Sequence, residues 1–150
     1  MDWGRYEAQG LVKAQRPDMG QVSRQVARAE MDLKTAGLVI KQDPEWASTI
    51  VYQAMLRLGR ALMFSHGYLP ADGRQHKTVV EVTGKLLGGG FDLLVKRFDR
   101  MRRRRNVFFY DSLVSDDEAQ AITTLETAAK LVSAIKAKIR KGDPQEDLSI

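Results

Sequence analysis

The chain has 150 residues, 43% of them hydrophobic and 29% charged, which is the composition of a single globular domain. It contains no cysteine, so disulfide scaffolds, thiol catalysis and cysteine-ligated metal clusters are excluded. The sequence has neither the run of about 20 apolar residues that a membrane span needs nor a signal-peptide core, so we expect a cytoplasmic protein without membrane contact, with a net charge of +5.

Apolar spacing and capping residues predict the first two long helices. Residues 1–18 lack a helical period, and we expect an irregular N-terminal arm there. From residue 19 onwards apolar side chains recur three or four positions apart, on one helical face: Val22, Val26, Ala29, Leu33, Ala36 and Ile40. Asp43 and Pro44 predict a second helix that runs to Gly67, because Asp caps and Pro fits the first helical position. Apolar residues cover most of its circumference, which predicts a central helix.

The second half of the chain predicts three further helices. Residues 68–75 are expected to form a loop, followed by a shorter helix over about 76–87 that three glycines at 88–90 end. The next helix starts near Phe91, with an apolar face that contains Phe91, Leu94, Phe98, Met101 and Phe108. Ser115 and Glu118 match a capping box for the last helix, which Gly142 and Pro144 end.

These elements predict an all-α fold, an antiparallel up-and-down four-helix bundle with one additional short helix. The bundle is expected over residues 19–141, between the arm at 1–18 and a C-terminal tail at 142–150. No internal repeat or low-complexity tract interrupts it, apart from one arginine run.

Common catalytic motifs fail on chemical grounds. Gly84 and Lys85 are followed by Leu86, so the hydroxyl and the glycine spacing of a P-loop are missing. His66 and His76 have no carboxylate at the spacing of a helical metal pair. The acidic residues at 116–118 are explained by helix capping. We therefore expect neither a metal nor a cofactor.

The segment from Lys96 to Arg105 carries seven basic side chains and one acid. Four consecutive arginines, Arg102, Arg103, Arg104 and Arg105, sweep about 300° of a helix, so they cannot share one face. Arg103 and Arg104 are expected to project into solvent, whereas Arg105 falls on the apolar stripe. One interpretation is a solvated basic helix in which Arg105 pairs with a carboxylate. The other is a phosphate- or base-binding patch with Asn106 and Tyr110, which lie one turn apart.

Two blocks of the sequence resemble the HEPN family (higher eukaryotes and prokaryotes nucleotide-binding domains). The first runs from Tyr52 through Arg60 to Gly67 and is similar to the family's second helix. The second, at 105–110, reads R-N-V-F-F-Y and is similar to the family's R-N-x-x-x-H motif. The likeness covers about residues 19–141.

The resemblance implies a helical bundle, often a symmetric homodimer, whose motif residues meet in a cleft that cleaves RNA without metal in active members. Arg105 and Asn106 match the motif, but Tyr110 stands at the position of the histidine. A phenol with a pKa of about 10 is a poor proton acceptor at neutral pH. Two functions therefore stay open: a toxin-type metal-independent endoribonuclease using Arg105, Asn106 and Tyr110, with Arg102, Arg103 and Arg104 on the RNA phosphates, or a non-catalytic module that binds nucleotide, RNA or a partner.

The resemblance also implies a partner protein, because many small domains of this family are encoded beside an antitoxin or a nucleotidyltransferase-like protein. The sequence itself lacks a nucleotidyltransferase motif.

Overall fold

A computed structural model describes residues 1–71, 75–110 and 116–142, with only the backbone described for 106–110. The elements in chain order are α1 (Trp3–Ala8), β1 (Val12–Ala14), α2 (Met19–Val39), α3 (Pro44–Ser65), β2 (Tyr68–Pro70), α4 (Gln75–Leu87), α5 (Asp92–Tyr110) and α6 (Glu118–Gly142). The predicted all-α bundle is confirmed, with α2, α3, α5 and α6 as its long helices and α4 as the shorter one.

Aspartate caps open the two long helices of the first half. The Asp18 carboxylate accepts from the backbone N–H of Gln21 at 3.0 Å, which starts α2. The Asp43 carboxylate accepts from the N–H of Trp46 at 2.9 Å, and Pro44 follows as the first residue of α3. Each cap satisfies a helical N–H that has no partner within the helix, so both predicted starts are confirmed.

The core forms around α3, which packs against α2, α4, α5 and α6. Its central position, expected from its apolar circumference, is confirmed. Its buried side chains include Ala47, Val51, Tyr52, Met55, Leu58 and Leu62. Gly59 brings α3 and α4 together, since a Cβ there would lie 2.6 Å from both Thr83 Oγ1 and Val79 Cγ1. Side chains on α4 thus reach the central helix at close range.

The irregular arm expected over residues 1–18 is wrong in its first part. This segment forms α1 and β1, and Tyr6 and Val12 are buried with 5% and 2% of their surface exposed. The Tyr6 hydroxyl donates to the Glu81 carboxylate on α4 at 2.5 Å, and the Lys85 ammonium lies 4.9 Å from the Tyr6 ring centre. Contacts with α4, remote in sequence, therefore order a segment that has no periodicity of its own.

The loop expected over residues 68–75 is also wrong in part, because residues 68–70 form β2. Strand β2 pairs antiparallel with β1, with Val12 opposite Pro70 and Ala14 opposite Tyr68. Residues 72–74 lie outside the described part of the chain. A three-residue strand becomes stable only through its partner, so local sequence does not reveal it.

Helix ends in the second half follow from glycine and from an acidic cap. Gly88 adopts a φ of +89° directly after α4, which confirms the predicted glycine terminator, and a short 3-10 turn over Gly89–Phe91 leads into α5. At the start of α6, the Asp117 carboxylate accepts from the Gln120 N–H at 2.8 Å, and the Gln120 side chain accepts from the Asp117 N–H at 3.3 Å. The observed capping box is therefore Asp117 and Gln120; Ser115 lies outside the described residues.

The proposed tail includes residues 143–150, which also lie outside the described part, and the boundaries at 19 and 141 stay predictions. Within the described residues, no helix combines the length and the apolar character that crossing a membrane requires.

Candidate functional site

The four consecutive arginines of α5 point into different surroundings, as their helical spacing requires. Arg102 and Arg103 both pair with Asp99, at 2.8 and 2.7 Å. Arg103 is the most solvated of these, with 75% of its side chain exposed. Arg104 instead pairs at 2.5 Å with Asp116, two residues before α6, and donates to the Gln120 side chain on α6 at 2.9 Å. The expectation that Arg104 projects into solvent is met only in part, since its side chain is 37% exposed and is held by the Asp116 carboxylate.

Arg105 faces the interior junction of α3, α4 and α5. Its Nη1 lies 2.8 Å from Nδ1 of His76, which belongs to the first turn of α4. Its guanidinium carbon lies 5.5 Å from the ring centre of Tyr52 on α3, within cation–π range. The Tyr52 hydroxyl lies 3.1 Å from the same His76 Nδ1. We call this cluster of Arg105, His76 and Tyr52 the Arg105 centre.

Positive charge is concentrated at the Arg105 centre. Burial lowers the pKa of His76 below its ordinary 6.5, and the charges of Arg105, Arg60 and Arg102 lower it further. Burial raises the pKa of Tyr52 to about 12, against the opposing effect of Arg105 and Arg102. At neutral pH the imidazole and the phenol are therefore both neutral, and the guanidinium groups carry the charge.

The Asp99 carboxylate neutralises part of this positive charge on the outer side of α5. Although burial raises the pKa of its carboxyl, the hydrogen bond and charge of Arg102 and the charge of Arg103 outweigh that effect and hold the pKa below its ordinary value. Asp99 is thus ionised at neutral pH and shared by two arginines. Arg102 is consequently oriented by a carboxylate while it still acts electrostatically on His76.

One concave surface includes members of the Arg105 centre, and a second is lined by residues close to them in sequence, such as Lys77. A small cavity of about 50 Å³ between α3, α5 and α6 includes Tyr52 and Arg105 in its wall, together with Ser48 and Asp116. An open groove of about 550 Å³ separates α4 from α5. Basic side chains predominate along this groove, which contains Lys77, Lys96, Arg100, Arg102 and Arg103 beside Glu81 and Asp99. An anionic chain could follow this groove towards His76.

The structure brings together only part of the predicted site. Arg105 joins the interior cluster, while Arg102 and Arg103 line the α4–α5 groove. Asn106 and Tyr110 belong to the helical backbone of α5, but their side chains lie outside the described residues. Arg105 also finds partners within its own chain, so contact across a dimer interface is not needed to hold it.

Sequence reasoning missed His76 and Tyr52. Tyr52 opens the first block of family likeness, and that position was its only signal. His76 stands 29 positions before Arg105, and no local pattern joins the two. Among the described residues, no three side chains of His, Cys, Asp or Glu gather closely enough to hold a metal ion.

Comparison with known proteins finds one matching family model for this chain. The sequence model of the HEPN domain family matches residues 22–138, a range that contains α3, α4 and α5 with all three members of the Arg105 centre. No match was found among curated proteins.

Proposed function

This chain belongs to the HEPN domain family, and we propose that it is a toxin-type endoribonuclease that cleaves RNA without a metal ion at the Arg105 centre. One observation carries the proposal. The guanidinium of Arg105 lies on the inner side of α5, 2.8 Å from the imidazole of His76 and 5.5 Å from the ring centre of Tyr52, and the charges of Arg60 and Arg102 also act on that imidazole. An arginine held between an imidazole and a phenol ring favours an anion at this point more than a solvated basic helix would.

Arg105 is proposed to stabilise the phosphate during cleavage. Negative charge grows on the non-bridging oxygens as phosphorus becomes five-coordinate, and a fixed guanidinium can donate two parallel hydrogen bonds to them. Contacts with His76 at 2.8 Å and with the Tyr52 ring support a fixed orientation. Removing one such donor from other active sites typically costs about 10²–10³-fold in rate, which sets the expected scale.

The RNA backbone is proposed to lie in the α4–α5 groove. Arg102 and Arg103 line it, and Lys77 follows His76 directly in sequence, so the groove extends the positive surface away from the centre. Arg104 points towards Asp116 on the far side of α5, so we expect it to contribute less to RNA binding than Arg103. This assignment modifies the simple prediction of one arginine patch.

Asn106 and Tyr110 complete the proposed site from the next turn of α5. In the motif that the resemblance supplies, Asn106 orients the phosphate and Tyr110 takes the histidine position. Tyr110 can donate a hydrogen bond or stack on a base, because a phenol with the ordinary pKa of about 10 keeps its proton at neutral pH. We also propose a homodimer that an antitoxin or a nucleotidyltransferase-like partner restrains, as the family resemblance implies, and a cytoplasmic location.

A second function is favoured by the same Tyr110. Loss of the motif histidine is what a site retained only for binding would show. In that case the Arg105 centre holds nucleotide, RNA or a partner protein without turnover. The two functions differ in one observable, which is cleavage.

Labelled single-stranded RNA incubated with purified protein in EDTA tests both. We expect slow cleavage that Arg105→Ala abolishes, with Arg105→Lys intermediate because lysine keeps the charge but lacks the bidentate donors. Arg24→Ala, an exposed arginine on α2, is the matched control and should leave cleavage unchanged. Arg103→Ala should reduce the log–log salt slope of RNA binding by about 0.7. Salt-sensitive binding without cleavage would select the binding module, and absence of both would contradict the proposal.

A further inference from the structure

The contact between Arg105 and His76 fixes the protonation state of the imidazole. A guanidinium group has only N–H donors, so the nitrogen that it approaches must accept. The shorter contact, 2.8 Å, is to Nδ1, and Nε2 lies 3.3 Å away. A neutral imidazole has one unprotonated nitrogen, and that nitrogen can accept the hydrogen bond from Arg105.

Charged and polar groups surround His76 from two helices. Tyr52 on α3 and Arg105 on α5 contact it directly, and the charges of Arg60 on α3 and Arg102 on α5 act on it electrostatically. The Tyr52 hydroxyl lies 3.1 Å from Nδ1, within hydrogen-bond distance of the same ring. The imidazole is thus a basic group held ready within the region that the proposed phosphate would occupy.

We propose that His76 is the general base of this site, accepting the proton of the RNA 2′-hydroxyl next to the phosphate on Arg105. This inference rests on the proposed ribonuclease function and assigns the proton transfer to α4, outside the R-N-x-x-x-Y segment of α5. It explains how a chain with Tyr110 at the motif position can keep an imidazole at the phosphate.

The step balances without any further reactant. The unprotonated ring nitrogen of His76 takes the proton from the 2′-hydroxyl, whose oxygen forms a bond to phosphorus. The bond between phosphorus and the 5′-oxygen breaks, and that oxygen leaves with a proton from the imidazolium or from water. The products are a 2′,3′-cyclic phosphate and a 5′-hydroxyl end.

Arg105 occupies the lone pair that the base must use, so substrate binding has to release it. A phosphate oxygen carries charge and is a stronger acceptor for a guanidinium than a neutral imidazole nitrogen. We expect the phosphate to draw Arg105 away and so free the unprotonated ring nitrogen for the 2′-hydroxyl. The arriving anion also counters the arginine charges that keep the pKa of His76 low, so the pKa should rise when RNA binds.

The first test is His76→Asn, whose amide oxygen can still accept from Arg105 but cannot carry a proton. We expect cleavage to fall by about 10²–10⁴-fold, the usual contribution of a general base, while RNA affinity stays within about threefold. Wild-type cleavage should rise with pH through the His76 titration, and the residual activity of the variant should lose that rise. His66→Asn, which changes the only other histidine, is the control and should keep both the rate and the profile.

The second test measures His76 directly by NMR. Two histidines give two imidazole signals, which the His66→Asn variant assigns. A single-stranded RNA with 2′-fluoro groups binds without being cleaved and serves as the probe. The pKa of His76 should rise on adding this RNA, and the pKa of His66 should stay constant.

The outcomes separate this inference from the proposed function. If wild type cleaves RNA in EDTA and His76→Asn cleaves within tenfold of it, the general-base role is wrong and the ribonuclease proposal stands. If His76→Asn loses RNA binding together with cleavage, or if the pKa of His76 does not rise, His76 only positions Arg105 and the inference is also wrong. If wild type does not cleave, both proposals fail.

Discussion

Arg105 donates to His76 across 2.8 Å, although the two stand 29 positions apart in the sequence. The hydrogen bond exists only while the imidazole is neutral, because an imidazolium has no free lone pair. Protonation of His76 therefore breaks the contact and adds a positive charge beside Arg60, Arg102 and Arg105. The free energy of unfolding should therefore depend on the protonation of His76.

We predict that the free energy of unfolding falls as the pH is lowered from about 7 to 5. The pKa of His76 is below 6.5 in the folded chain, so the unfolded state binds more protons in this range. Stability is consequently lost as pH falls through 6.5, and the loss is complete below the folded pKa. Urea unfolding at several pH values measures it.

His66 contributes a loss of the same sign, since burial and Lys138 lower its pKa too. Single variants separate the two contributions, and His76→Asn should remove part of the pH dependence while His66→Asn removes the remainder. Asp99 titrates in a different window, below about pH 4, where protonation weakens its pairs with Arg102 and Arg103. An unchanged pH slope in His76→Asn would contradict the prediction.

Gly59→Ala should destabilise the bundle. A Cβ at this position would lie 2.6 Å from atoms of Thr83 and Val79, both on α4, so the helices must separate or the β-branched side chains must leave their rotamers. Overpacking of this kind costs about 1–3 kcal/mol. Thermal or urea unfolding checks the value.

Gly37→Ala is the matched control, because a Cβ on this exposed glycine of α2 meets only Leu125, at 3.8 Å. It should stabilise the protein by about 0.5–1 kcal/mol through helix propensity. Equal stability changes in the two variants would mean that α3 and α4 are not in close contact.

Breaking the Arg104–Asp116 pair should loosen the junction of α5 and α6. The side chain of Asp116 is only 15% exposed and lies 2.5 Å from Arg104. A double-mutant cycle of Arg104→Ala and Asp116→Asn should give a coupling of about 0.2–1 kcal/mol that decreases with added salt. Arg103→Ala, with its side chain 75% exposed, provides the comparison and should change stability by less. A coupling energy of zero would mean that the Arg104–Asp116 pair does not stabilise the contact between α5 and α6.

Tyr52→Phe should cost about 0.5–1.5 kcal/mol of stability, since it removes the hydroxyl 3.1 Å from His76 and retains the ring beneath Arg105. Tyr68→Phe should cost less than about 0.5 kcal/mol, because the Tyr68 ring stacks on Trp3 at 4.2 Å and keeps that contact. A Tyr52→Phe protein as stable as wild type would show that the hydroxyl does not support the centre.

Local sequence was sufficient for the long helices and insufficient for the site. Asp18 and Asp43 act on N–H groups three residues away, so their caps could be predicted from neighbouring residues. The apolar stripe likewise placed Arg105 on the inner face of α5. The partner that it meets there, His76, depends on how closely α4 approaches α3 and α5, which is a property of packing and not of periodicity.

The same limit explains α1 and the strand pair. Val12 faces Pro70 across β1 and β2, and each strand lacks an independent signal. The start of α6 shows the same limit between neighbouring residues. The sequence offers two capping pairs there, Ser115 with Glu118 and Asp117 with Gln120, and the observed cap is Asp117. Asn106 and Tyr110 stay predictions.

The N-terminal segment contacts α4, the helix that carries His76, so the surroundings of the site depend on residues at the amino end of the chain. Tyr6 precedes the residues that the family model matches, and its hydroxyl donates to Glu81 on α4. His76 lies on the same helix as Glu81. Gln15 donates to the Gly67 carbonyl at 2.8 Å, directly before the strand that leads to α4. A protein shortened to the matched range would lose both the Tyr6 and the Gln15 contacts. Measurements on it would therefore describe His76 in surroundings that differ from those in the full chain.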